Sequence, residues 1–163
     1  LFDFSVDKEG RTIHMKREFD ANLELVWQAW TTAELLDRWC APNPYRTATK
    51  ALDFREGGFW HYAIVSPEGN RHWSRYEYKK IERQKSIIEL RAFSNENGTV
   101  SPDFPRTECT ITFSQTRGKT LVTITERYGS PEVFEKMATT SHKKGFSSHL
   151  KNLDELLLTL KNK

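Results

Sequence analysis

Cysteine is scarce: Cys40 and Cys109 are the only two, 69 positions apart, with no Cys-x-x-Cys or Cys/His ligand spacing around either. That excludes a disulfide-stapled scaffold and leaves no zinc signature, so both read as buried free thiols of a reducing compartment. Long apolar stretches are also missing. Runs such as Ala63-Ile64-Val65 and Leu156-Leu157-Leu158 fall far short of the roughly 20 residues a bilayer crossing needs, so no membrane span is expected. There is little excess charge of either sign. The 25 basic and 22 acidic residues, a net +3, are spread along the chain, which argues against nucleic acid as a partner. The nearest approach to a patch, Lys143, Lys144 and Lys151, reads as a solvated helix face. The first nine residues carry acids where a secretory signal has a basic and then an apolar stretch, and the expected location is cytoplasmic. Neither a Gly-x-Ser-x-Gly elbow nor a phosphate-cradling glycine loop occurs, and no cofactor is implied.

What is present suits one ordinary globular domain over 1–163, with a core spanning about 11–160. Ile13, Met15, Arg17 and Phe19 alternate with polar neighbours and predict a first strand over 11–19. Asn22 is placed to cap a short helix carrying Leu23, Val26, Trp27 and Trp30, and Thr32 to cap a second with Leu35, Leu36 and Trp39. Prolines 42 and 44 stop it. The middle of the chain reads as β: a strand ending at Phe54, a tight turn at Gly57-Gly58, then strands over 59–65, 71–81 and 86–93. The polar segment 94–105 reads as one long mobile loop, and strands over 107–114 and 120–127 complete seven antiparallel neighbours.

The end of the chain changes period. Ser130, Pro131 and Glu132 form a helix start, and Phe146, Leu150, Leu153, Leu157 and Leu160 make one apolar stripe. An unbroken helix over 131–160 would run roughly 45 Å, with Gly145 marking a bend or a close approach to the sheet. The fold class expected is therefore α+β: a curved seven-stranded antiparallel sheet around a long carboxy-terminal helix, with two short helices after the first strand.

Several segments resemble a known family in order. Phe19-Asp20-Ala21 through Leu25-Val26-Trp27 to Ala29-Trp30-Thr31 is similar to its opening strand-helix signature. Arg38-Trp39-Cys40-Ala41-Pro42 looks like its tryptophan-rich segment, with Cys40 where a second Trp is common; Asp53 to Trp60 looks like its double-glycine hairpin, and Gly145-Phe146 stands where Gly-Trp is frequent. The family is that of homologues of the activator of the heat-shock protein 90 ATPase, within the START-like, polyketide-cyclase-like superfamily called SRPBCC. The resemblance covers about 17–158 and implies a helix-grip fold with a cavity between sheet and helix. It carries no fixed catalytic set, and fold alone is poor evidence for chemistry.

Five Trp, ten Phe and five Tyr exceed the needs of a tight aliphatic core and are able to line such a cavity. Trp60, Tyr62 and Ile64 share one strand face and Phe59, His61, Ala63 and Val65 the other; the family pattern implies that 60, 62 and 64 point inward. Trp30, Trp39, Phe93, Phe113 and Phe146 are further candidates for the wall, each equally at home in plain core packing. His142 and His149 lie seven apart on one helix, a poor spacing for a metal pair, and His61 and His72 read as pocket or surface residues. Glu89, Glu108 and Glu126 fall on strands and are expected on the wet outer face. The leading expectation is a binding protein for a small apolar or amphipathic ligand. A cyclase- or hydratase-type enzyme using a pocket His or Tyr is a second reading, and a co-chaperone-like module with a chaperone partner a third.

Overall fold

The computed structural model describes residues 2–102, 106–138 and 140–161. Eight strands and four helices follow in the order β1 (Phe2–Asp7), β2 (Thr12–Phe19), α1 (Leu23–Thr31), α2 (Ala33–Trp39), β3 (Arg46–Asp53), β4 (Phe59–Val65), β5 (Arg71–Glu82), β6 (Ser86–Phe93), β7 (Thr107–Thr116), β8 (Lys119–Tyr128), α3 (Pro131–Met137) and α4 (Thr140–Lys161). One antiparallel sheet runs β1-β2-β8-β7-β6-β5-β4-β3. The strand absent from the sequence expectation is β1, whose alternation Phe4/Val6 is short and diluted by Asp3, Ser5 and Asp7. It is fixed by pairing with β2, Phe4 opposite Met15 and Val6 opposite Ile13.

Local chemistry starts α1 as read, whereas Thr32, at the start of α2, makes no side-chain capping hydrogen bond. Asn22 Oδ1 accepts from Leu25 N at 2.9 Å, and the capped helix α1 buries Val26, Trp27, Ala29 and Trp30 on one face. Trp39 of α2 donates its indole N–H to Ala29 O at 2.9 Å, locking the two helices together. Asp37 accepts from Thr49 N at 3.0 Å, which seats α2 against the outer strand β3. A helix across that strand shields it from pairing with another chain.

The double glycine divides its work. Gly57 takes φ +82°, whereas Gly58 is demanded by space: a Cβ there would lie 2.0 Å from Asp53 O.

The carboxy-terminal helix is not continuous. Ser130 Oγ accepts from Val133 N and Pro131 occupies the first turn, as expected, but α3 ends at Met137 with Ala138 N bonded to Phe134 O, and α4 begins at Thr140. The interruption therefore precedes Gly145, which sits inside α4 with nothing within 4 Å of an added Cβ. Leu150, Leu153, Leu156 and Leu157 are buried in the core shared with the sheet. Leu150 and Phe146 face Met15, Val122 and Ile124 across a narrow gap. An ion pair between Arg17 of β2 and Asp154 ties α4 to the sheet.

The segment after β6 is more ordered than a mobile loop through Pro102. Asn95 Oδ1 accepts from Asn97 N at 2.9 Å and Thr99 N at 3.0 Å, and Ser94 bridges to Val100. His61, on the face of β4 away from the helix, is buried here: Nε2 lies 3.1 Å from Asn95 O, and its ring stands 4.9 Å from that of Trp73. Residues 103–105 of the expected loop, and the side chain of His142, lie outside the described residues.

Candidate functional site

Between the sheet, α2 and the carboxy-terminal helices lies a cavity of about 330 Å³. That is the lower end of the range for sites of small organic ligands. Trp60, Tyr62 and Ile64 line it, so the inward face of β4 is the one the family pattern implied. Trp30 and Trp39 close the side formed by α1 and α2, Phe146 contributes from α4, and Phe93 stands at the edge with 53 % of its surface exposed. Phe113 is the exception. It belongs to the packed core, edge-on to Trp27 at 5.1 Å and to Trp30 at 5.6 Å, and it is not on the cavity wall.

The aromatic wall is tied together by ring contacts and hydrogen bonds. Trp60 stacks on Tyr62 at 3.9 Å and meets Tyr76 edge-on at 5.1 Å, while its indole N–H donates to Thr49 Oγ1 at 3.0 Å. The Tyr62 hydroxyl donates to that of Tyr76 at 2.7 Å.

Two of the three strand glutamates correct the expectation of a wet outer face. Glu89 and Glu126 are 4 % and 5 % exposed and line the cavity; Glu108 alone is exposed. Register explains it. Tyr78, Glu89, Cys109 and Glu126 are successive cross-strand partners on β5 to β8, and Tyr76, Arg91, Thr107 and Tyr128 form the adjacent row. Cross-strand partners share a face, so both rows project with Ile87, Ile111 and Ile124 of the core. Arg91 Nε donates to Glu89 Oε2 at 3.1 Å, Arg91 Nη1 donates to Glu126 Oε2 at 2.8 Å, and the Tyr128 hydroxyl donates to Glu126 Oε1 at 3.0 Å. The guanidinium also lies 4.7 Å from the Tyr76 ring centroid.

Burial governs protonation here. It raises Glu89 above the ordinary carboxyl range; the Arg91 charge and hydrogen bond offset part of this, and Glu126 adds to the rise. Burial also raises Tyr62, Tyr76, Tyr78 and Tyr128, so all four remain neutral phenols at physiological pH. For Arg91 burial works against the charge, but Cys109, Tyr76, Glu89 and Glu126 around it hold the proton more strongly than usual. The cluster thus offers hydrogen-bond donors inside an apolar enclosure.

The sequence reading missed Glu89, Arg91, Glu126, Tyr76, Tyr78 and Tyr128. A signal existed: Glu126 and Tyr128 continue the parity of Val122 and Ile124, and Glu89 that of Ile87. Acids default to the solvent side, which hid it. Of the histidines, His149 reaches the cavity and His72 is exposed. Among the described residues no three His, Cys, Asp or Glu stand together in a way that would hold a metal ion, and no helix is long and apolar enough to cross a membrane.

An antiparallel sheet gripping a carboxy-terminal helix over a partly open, aromatic-walled cavity defines a helix-grip domain of START-like architecture. The chain belongs to the family described as Activator of Hsp90 ATPase homolog 1-like protein, whose family model matches residues 20–158. Solved structures agree with the fold. A protein of Arthrobacter aurescens superposes with a TM-score of 0.87 at 24 % identity, covering 96 % of this chain and 91 % of that one. A Staphylococcus epidermidis protein gives 0.86 at 25 %, covering 95 % and 94 %. Protein Ms6760 of Mycobacterium smegmatis gives 0.85 at 24 %, covering 95 % of each chain. No curated protein matches the chain.

Proposed function

We propose that this chain is a cytoplasmic, non-enzymatic binding protein that holds a small apolar or amphipathic molecule between its sheet and carboxy-terminal helix. The observation that carries the reading is the cavity itself, about 330 Å³ in a wall of Trp30, Trp39, Trp60, Tyr62 and Ile64. A plain core would fill that space with side chains, since interiors pack to the density of organic crystals. The two unpaired thiols of Cys40 and Cys109 suit a reducing compartment.

The test uses N-phenyl-1-naphthylamine, an uncharged fluorophore that brightens in apolar surroundings. Saturable binding that disappears in Ile64→Trp, a variant that fills the cavity from a half-buried position, supports the reading. Binding unchanged in that variant, or none at all, counts against it.

One feature supports an enzyme as the second reading: Glu89, a buried carboxyl whose pKa its surroundings raise, shares the cavity with four tyrosines and is placed for acid–base chemistry there. Recovery of a natural ligand chemically unchanged after prolonged incubation would remove that reading.

A further inference from the structure

Thr49 joins two contacts that belong to different elements. Its hydroxyl donates its one proton to Asp37 Oδ1 of α2 at 2.5 Å and accepts from the Trp60 indole N–H of β4 at 3.0 Å. Its backbone N–H reaches the same Asp37 oxygen at 3.0 Å. The direction of the chain is fixed at both ends. An indole only donates and a carboxylate oxygen accepts, so Trp60 gives to Thr49 and Thr49 gives to Asp37. Asp37 has no ion-pair partner among the described residues, and Thr49 is the group that holds its carboxylate.

The backbone of β3 serves the same arrangement. A bulge between Thr49 and Ala51 leaves Thr49 opposite Tyr62 on the cavity side, while Lys50 turns to the other face, its Nζ 2.7 Å from Glu96 O and 5.6 Å from the Trp73 ring centroid. Thr49 is thus aimed at the indole and at α2 together. Neither Asp37 nor Thr49 lines the cavity, whereas Trp60 does.

We infer that Asp37 is a positioning residue of the cavity: through the Thr49 hydroxyl it holds the Trp60 indole in the pose that a bound molecule meets. This rests on the cavity being a ligand site. A wall residue held in place before binding spares the ligand the cost of ordering it. The effect is separable from the general seating of α2, which keeps its own tie to α1 through the Trp39 indole and Ala29 O. Coupling between two sites is reciprocal, so a molecule resting on Trp60 strengthens the contact between Thr49 and Asp37 by the same factor that Asp37 contributes to binding. The Thr49 amide, bonded to Asp37, reports that contact directly.

The probe is N-phenyl-1-naphthylamine, titrated into the parent and into Asp37→Ala, Thr49→Val, Thr49→Ser and Asp37→Ala/Thr49→Val, each shown to be folded by its urea transition. Thr49→Val, which leaves the indole N–H without its acceptor, is expected to weaken binding at least about fivefold, and Thr49→Ser to stay within about twofold of the parent. Asp37→Ala should cost at least about threefold where Thr49 is present and less than about 1.5-fold where Val replaces it. Two further readouts would not follow from a merely structural role. The indole ¹H–¹⁵N signal of Trp60 should shift in Thr49→Val and in Asp37→Ala and stay in place in Thr49→Ser, and exchange of the Thr49 amide in the parent should slow about threefold on saturation with the probe.

Parent binding that none of the folded variants alters, or an equal loss from Asp37→Ala in both backgrounds, overturns the role of Asp37 and leaves the cavity reading standing. No binding by the parent overturns both. Should Asp37→Ala or Thr49→Val fail to fold, Asp37→Asn serves, since it keeps size and an acceptor but loses the charge. Affinity should then fall about twofold with a shift of the Trp60 indole signal, and no change in either overturns the assignment.

Discussion

Arg91 Nη1 lies 2.8 Å from Glu126 Oε2 although 35 residues separate them, and the pair is held inside the cavity between β6 and β8. Removing one member of such a pair takes away part of a buried charge's compensation. Arg91→Met is expected to cost about 3–5 kcal/mol, and Arg91→Met/Glu126→Gln to recover most of that loss. Urea denaturation of both variants checks it; a single variant within about 1 kcal/mol of the parent would mean the pair is solvated.

Glu89 sets a pH dependence. Its folded-state pKa is raised, so its contribution to stability is complete below the unfolded value near 4.5 and is lost as pH rises through the folded value. Glu89→Gln, which stays neutral, should therefore melt a few degrees above the parent at pH 7–8, and the gap should close toward pH 4. Melting curves across that range decide it. A variant less stable at pH 8 would show that the Arg91 contact outweighs burial.

Position along the cavity separates binding from stability. Trp60 is 3 % exposed, stacked on Tyr62 and bonded to Thr49, so Trp60→Ala should cost about 3–5 kcal/mol and lose ligand and fold together. Phe93 at the edge is half open, and Phe93→Ala should move stability by no more than about 0.5 kcal/mol while speeding release of N-phenyl-1-naphthylamine. Stopped-flow dissociation measures the latter; an unchanged rate removes Phe93 from the exit route.

Thiol reactivity reports the enclosure. Burial pushes the Cys40 thiol up to about 12 although the residue as a whole is half-buried, and raises Cys109 as well. Native protein at pH 8 should react with Ellman's reagent at least about a hundredfold more slowly than free cysteine, with both thiols released at once in denaturant. Rapid modification of Cys40 in the native state would contradict its burial.

Reading the chain linearly recovered the parts that depend on neighbours in sequence. Asn22 and Ser130 cap the helices they were expected to cap, and the stripe Phe146, Leu150, Leu153, Leu157 runs along α4. Strand β1 escaped because its partner, not its own pattern, makes it a strand. The helix interruption before Thr140 escaped because the only marked helix breaker beyond Pro131 is Gly145, which α4 passes through.

For the site the division is sharper. Alternation put Trp60, Tyr62 and Ile64 on one face, and the family pattern assigned that face to the cavity. Sequence by itself determined this much because a strand's period is two and its turns are chemically marked. Only the tertiary structure decided that Glu89, Cys109 and Glu126 form one row across β6, β7 and β8, with Arg91 clamped between the two acids. Those residues are separated by up to 37 positions, and their burial is tolerable only once each finds the others. A carboxylate read alone belongs in water; beside a guanidinium fixed by three strands, it belongs inside.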